Sequence, residues 1–240
     1  MISVTALLAA GTVVFAGALV QGAAGFGLAM VAAPLLALID PALVPAPLLA
    51  LTAVHAVAAL VREVGDTDWR GVAWAMLGRV PGTVAGVTLV VALPPRVFAV
   101  VLASIVLACV ALSVTPLRVR PTRRLLVAAG VVSGVSGTAA SVGGPPVALL
   151  YQSESGPRIR ATLAAYFALG TALSLGGLAL GGAVTGTALL HGAVLVPFLV
   201  AGFLVSGPAR RVLDRGGTRP VVIALSAVSA LVLLAQALSG

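Results

Sequence analysis

Arg79, His55 and the hydroxyls Ser136, Thr138 and Ser141 stand within or beside long apolar stretches, where a polar side chain has to be satisfied by protein or by a ligand. Together they suit one kind of chemistry, the capture of an anion: a guanidinium supplies charge and hydroxyls supply neutral donors. Arg79 falls about seven residues into the apolar segment that starts near Val72, so its Cα should sit ~10 Å below the interface. Snorkelling of its long side chain back to that interface is the alternative. His55 could donate to the same anion or accept a coupled proton, since imidazole titrates near neutral pH. It could equally be an ordinary hydrogen-bonded structural residue. His191 begins a segment near the opposite interface, where headgroup contact is ordinary.

Two small-residue breaks carry the remaining donors. The first is Gly22-Ala-Ala-Gly-Phe-Gly27, preceded by Gln21; the second is Gly134-Val-Ser-Gly-Thr-Ala-Ala-Ser-Val-Gly-Gly-Pro-Pro146. Unwound backbone inside a bilayer is tolerated only where protein or a polar cavity satisfies its N–H and C=O groups, so paired breaks point to a buried site. Amides at 25–28 and 142–147 would open half-helices whose N-termini attract negative charge. The expected contacts are therefore Gln21, Gly22, Gly25, Phe26 and Gly27 from the first break. The second would add Ser136, Gly137, Thr138, Ser141, Gly143, Gly144 and Pro145. Small residues also let membrane helices pack closely, and each hydroxyl can bond its own helix instead. Pro145-Pro146 and three hydroxyls exceed what packing needs.

The elements that must position these groups follow from composition. The chain is 60% hydrophobic and 8% charged, with a mean hydropathy of +1.20, which leaves too little polar surface to cover a soluble globule of 240 residues. It reads as an all-α polytopic membrane protein. Apolar stretches run over 4–20, 28–39, 43–61, 72–93, 97–114, 125–135, 147–151, 161–180, 187–205 and 221–238. Several approach the ~20 residues that a helix needs to cross hydrocarbon. Residues 1–5 carry no basic side chain ahead of the first stretch, so a cleaved secretory signal is not expected. The single cysteine, Cys109, excludes an intramolecular disulfide and a cysteine metal cluster, and is expected to be a buried thiol. No metal or cofactor is expected. All fourteen basic residues are arginines, and without lysine no nucleotide-binding Gly-x4-Gly-Lys loop can form. Nucleic acid is not the expected partner of this basic chain, because its arginines fall in short loops where membrane orientation explains them.

Pro81-Gly-Thr-Val-Ala-Gly86 aligns with Pro197-Phe-Leu-Val-Ala-Gly202, 116 residues later, which indicates an internal duplication. The division is a first repeat at 1–115, a proline- and arginine-rich linker at 116–124 and a second repeat at 125–240. Suppose each half holds about five helical segments, the pieces before and after a break counted separately. Then Arg62 and Arg70, Arg118 to Arg124, Arg158 and Arg160, and Arg210 to Arg219 all share one side. By the positive-inside rule that side is cytoplasmic, with only Arg96 opposite. An odd count inverts the second repeat and leaves both termini outside. The stretch 125–135 would rise only ~17 Å as helix against ~30 Å of hydrocarbon, which predicts a re-entrant hairpin. By pseudo-symmetry the first break is approached from outside, although 4–20 is long enough to span.

The run Gly22 to Gly27 followed by Pro34, the Asp68-Trp69-Arg70 triplet opening a helix that reaches Pro81-Gly82 and Gly86, and the run Gly134 to Pro146 carry a resemblance. Over nearly its whole length the chain resembles the sulfite exporter TauE/SafE family of membrane permeases. The resemblance implies a transporter in the bacterial cytoplasmic membrane that moves sulfite, thiosulfate or an organosulfonate such as sulfoacetate. It does not single out one anion, and Ala23 and Ala24 stand where many relatives have further glycines. Direction, coupling proton or ion, and a homodimer stay open.

Two other classes fit parts of the pattern. Gly134-Val-Ser136-Gly137 resembles the Gly-x-Ser-Gly of intramembrane serine proteases, with His191 as partner. That reading lacks an asparagine for the oxyanion and gives no reason for the matching first break. A small-anion channel could use the same paired hairpins to line a pore.

Overall fold

Short polar side chains decide where several helices begin. Ser3 accepts the Ala6 N–H at 3.2 Å, Asp68 the Gly71 N–H at 3.0 Å and Thr122 the Leu125 N–H at 3.4 Å, each satisfying an amide with no partner inside its own helix. In the computed structural model, which describes residues 3–115, 119–213 and 218–239 and the side chains outside 208–221, the chain is all-helical. The helices are α1 (Val4–Ala24), α2 (Leu28–Ile39), α3 (Ala46–Glu63), α4 (Trp69–Ala92) and α5 (Pro95–Val114), then α6 (Arg123–Ala140), α7 (Gly144–Tyr151), α8 (Gly156–Leu180), α9 (Gly186–Leu213) and α10 (Thr218–Ser239). Asp40 and Asp68 cap turns and helices as their loop positions predict, and Cys109 is buried.

Among the described residues seven segments are long and apolar enough to cross a membrane, and α2, α6 and α7 are not among them. All three flank the breaks. Large apolar side chains such as Leu8, Val84, Leu180 and Leu204 are exposed on the outer surface, as lipid-facing residues should be. This is a multi-pass membrane protein.

The breaks are narrower than the sequence predicts. Gly22 to Ala24 still belong to α1, Gly134 to Ala140 still belong to α6, and Gly144 to Pro146 already begin α7. Only 25–27 and 141–143 are unwound. The reason is packing: α4 and α6 make the most extensive helix contact in the protein, through Gly78, Gly82 and Gly86 on one side and Gly130 and Gly134 on the other. A Cβ added at Gly134 would lie 2.7 Å from the Arg79 carbonyl. Glycines at this spacing bring two backbones together while remaining helical.

Two apolar cores result. One joins α1, α2, α5 and the start of α3 to α9 and α10; the other joins α6, α7 and α8 to α4 and the later part of α3. The contacts correspond under a shift of five helices: α4 on α6 matches α9 on α1, α3 on α9 matches α8 on α4, and α2 on α10 matches α7 on α5. Among the described ion pairs, Arg160 to Glu63 at 2.9 Å and Arg158 to Glu154 at 3.5 Å tie the ends of α3, α7 and α8 at one pole. Arg96 lies elsewhere, donating to the last carbonyls of α10 at Ala237 and Leu238. A cation there complements the helix dipole. Arg118, Arg210, Arg211, Arg215 and Arg219 fall outside the residues whose side chains are described.

Candidate functional site

The first break turns on glycine. Gly25 has φ 88° and Gly27 has φ 123°, values at which a side chain is strained. The Gly25 N–H closes α1 on the Gln21 carbonyl at 2.7 Å, and the chain then folds back, so that a Cβ on Gly17 would meet the Leu28 carbonyl at 3.1 Å. In the second break Ser141 takes the left-handed conformation at φ 61° and anchors it by donating Oγ to the Pro45 carbonyl at 3.2 Å. Its N–H and that of Val142 both reach the Ser136 carbonyl. Ser133 Oγ then donates to the Gly143 carbonyl at 2.5 Å, which brings the start of α7 back beside α6.

Both turns end on one cavity of about 30 Å³. Its wall includes Gln21, Gly27, Ala29 and Met30 from the first break and Gly137 with Ser141 to Pro145 from the second. Arg79 of α4, Leu49 and Thr52 of α3, and Phe167 and Thr171 of α8 complete it. Ala29 and Met30 lie in the first turn of α2, where amides have no partner within the helix. The amide supply differs from expectation at the edges. Gly25 N–H is used by Gln21, Leu28 N–H is accepted by Gln21 Oε1 at 3.1 Å, and Val142 N–H is used by Ser136. Pro145 and Pro146 have none to give.

Arg79 is the charged wall. It lies about 15 Å along α4 and is 1% exposed, so it does not snorkel. Nη1 donates to Ser133 Oγ at 3.3 Å and Nη2 to Ser174 Oγ at 3.4 Å, both long, while Nε has no partner. The guanidinium carbon stands 4.9 Å from the centre of the Tyr166 ring. Gly137, Gly143 and Gly170 leave the room: a Cβ at 137 would lie 2.9 Å from Nη2 and one at 143 would lie 3.2 Å from Nη1. Among the described residues no carboxylate pairs with it. Burying a cation costs several kcal/mol even after relaxation, whereas a good hydrogen bond from a charged donor returns about 1.5–3 kcal/mol and a cation–π contact up to about 2 kcal/mol. Two stretched bonds and one ring leave the guanidinium under-compensated, and an anion in the cavity would close the gap.

Gln21 and His55 form a support behind the cavity. His55 Nε2 donates to the Ala18 carbonyl at 3.2 Å, so Nδ1 is the acceptor for Gln21 Nε2 at 3.3 Å, and Gln21 Oε1 is thereby aimed at Leu28 N–H. His55 itself does not line the cavity. Gly22 packs on Phe203 and Ser206 of α9, with its carbonyl accepting from Arg62 at 3.2 Å, and Gly25 lies against Arg160. Ser136 Oγ bonds its own helix at the Val132 carbonyl. Thr138 meets Ser174 at 2.8 Å and so touches Arg79 only through that serine. The structure thus gathers Gln21, Gly27, Arg79, Gly137, Ser141, Gly143, Gly144 and Pro145 at the cavity. It leaves Gly22, Gly25, Phe26, His55, Ser136 and Thr138 outside it.

Ser133 and Ser174, the two acceptors for Arg79, are not among the sequence expectations. A hydroxyl in an apolar helix is common, and only their position opposite a guanidinium sets these two apart.

A larger apolar vestibule of about 280 Å³ adjoins the cavity, sharing Gly27, Met30 and Pro145. Phe26 lines it and packs near Gly144, and its far end reaches Gln152 and Ile159 beside the paired arginines.

An all-helical membrane bundle with two facing helix breaks and a buried unpaired cation defines a class, the polytopic membrane proteins that enclose a small polar site. Within that class, residues 9–233 match the family described as sulfite exporter TauE/SafE, and the chain belongs to this family of membrane transporters. No curated protein and no solved structure matches it.

Proposed function

We propose that the chain is a secondary carrier of small sulfur-containing anions, whether sulfite, thiosulfate or an organosulfonate, working by alternating access. The observation that carries this reading is Arg79, fully buried, with Nε unbonded, on a cavity where two half-helices begin. The anion accepts from the guanidinium, from first-turn amides of α2 and from the Gly144 amide that opens α7, while Ser141 and Gln21 hold the two turns in place. The five-helix correspondence of contacts supports two inverted repeats, 1–115 and 125–240, whose breaks approach the midplane from opposite faces. The arginine pole is then cytoplasmic and both termini lie outside, in the inner membrane.

A carrier and a small-anion channel differ in how flux depends on concentration and voltage. Liposomes reconstituted with the protein test this. Saturable anion flux with counter-exchange, lost in Arg79→Ala, is expected; flux that rises linearly with voltage would replace the carrier with a channel. A thermal-shift screen over sulfite, thiosulfate, sulfoacetate, taurine and sulfate ranks the anions.

A further inference from the structure

We propose that the anion this protein selects carries an apolar substituent, which occupies the vestibule while the charged head sits under Arg79. The proposal rests on the anion reading of the cavity and goes beyond it. The two spaces adjoin at Gly27, Met30 and Pro145, which line both, so an anion held in the cavity has its substituent on the side of the vestibule. They differ in chemistry and in size. The cavity, about 30 Å³, offers a cation, amides and hydroxyls, enough for a head group and little more. The vestibule, about 280 Å³, is walled mainly by aliphatic and aromatic side chains, including Val20, Phe26, Leu149, Ile159 and Ile223.

An inorganic oxyanion gains nothing from such a wall, and stripping its hydration there is unfavourable. An alkyl or aryl group gains from every methylene it takes out of water, by a factor of about four in affinity for each. Phe26 stands where the two chemistries meet, packed near Gly144 at the start of α7, where it would lie along the first carbons of the substituent. The polar part of the vestibule, Gln152 and Ser113, suits a ligand that enters from water rather than from lipid.

The test is binding to purified protein of sulfite, methanesulfonate, butanesulfonate, hexanesulfonate and benzenesulfonate, with butanol and hexanol as uncharged controls. Affinity is expected to rise about fourfold per methylene from methane- to butanesulfonate. The ratio of butane- to methanesulfonate affinity should fall toward one in Ala148→Phe, which fills the vestibule, or in Ala24→Phe should the first variant not fold. A flat series with methanesulfonate and sulfite still bound overturns the substituent and leaves the anion site standing. Alcohols that bind as well as the sulfonates make the vestibule a lipid pocket and overturn it too, as does a length dependence untouched by both variants. Loss of all anion binding would remove the anion site itself.

Discussion

Gly170 of α8 faces the guanidinium of Arg79 so closely that a Cβ at 170 would occupy the place of the Arg79 Cζ and Nε atoms. One position is empty because the other is large and cannot move. Arg79 is buried between Gly137 and Gly170, with the Tyr166 ring on one side, and the helix that carries it is pinned to α6 by glycine contacts. Gly170→Ala therefore pushes Arg79 off its serines. Overpacking of this kind costs about 1–3 kcal/mol. A lowered melting temperature together with a weakened anion-dependent shift is expected, whereas Gly176→Ala on the same helix, where nothing lies nearby, should lower neither.

Arg79→Met separates the two roles of the guanidinium. The substitution keeps an unbranched side chain in the space but removes an under-compensated buried charge, and replacing buried ionic groups by apolar ones of similar volume is often neutral or stabilising by about 1–4 kcal/mol. Without ligand the variant is expected to melt no lower than the parent, and the shift on adding anion should vanish. A large loss of stability without ligand would mean that Arg79 is a structural residue compensated by groups other than a substrate.

Much of this was legible in the sequence, and the reason is the solvent. In hydrocarbon an arginine or an unwound turn is costly enough to need a cause, so Arg79 and the two breaks stand out against apolar neighbours. Asp68 marked the start of α4 by the same kind of argument, one capping side chain ahead of an apolar run. What sequence did not give is which small residues unwind. Gly134, Gly137 and Thr138 look like a break and are helical, because glycine spacing serves close contact with α4 as readily as a turn. Nor did it show that Gln21 acts on Leu28 with His55 behind it, since that relay joins α1, α2 and α3 across 34 residues. Ser136 has its hydroxyl tied to its own helix, and the hydroxyls at Arg79 are Ser133 and Ser174.

The positive-φ positions of the two turns should respond unequally to substitution. Gly27→Ala forces a Cβ into φ 123° and is expected to destabilise by about 1–3 kcal/mol. Ser141→Gly removes a conformational penalty of about 1–2 kcal/mol and one hydrogen bond to Pro45 worth about 0.5–1.5 kcal/mol, so the two nearly cancel. Thermal unfolding in one detergent should show a clear loss for the first and a small change of either sign for the second. Equal losses would mean that the Ser141 hydroxyl matters more than the backbone it sits on.

Gln21→Glu neutralises the charge balance of the cavity without removing the acceptor for Leu28. A carboxylate oxygen still takes that amide, but it brings a negative charge to the wall that also holds Arg79, and it no longer offers a donor to His55 Nδ1. The new charge either pairs with the guanidinium or repels the incoming anion, and each route weakens binding. Anion-dependent stabilisation is expected to drop at least tenfold in apparent affinity, which corresponds to about 1.4 kcal/mol. Gln21→Met, which leaves Leu28 N–H uncapped but adds no charge, should lose less affinity than Gln21→Glu. If the methionine variant loses as much or more, Gln21 matters to the anion through the turn that it caps, and its place on the cavity wall contributes nothing electrostatic.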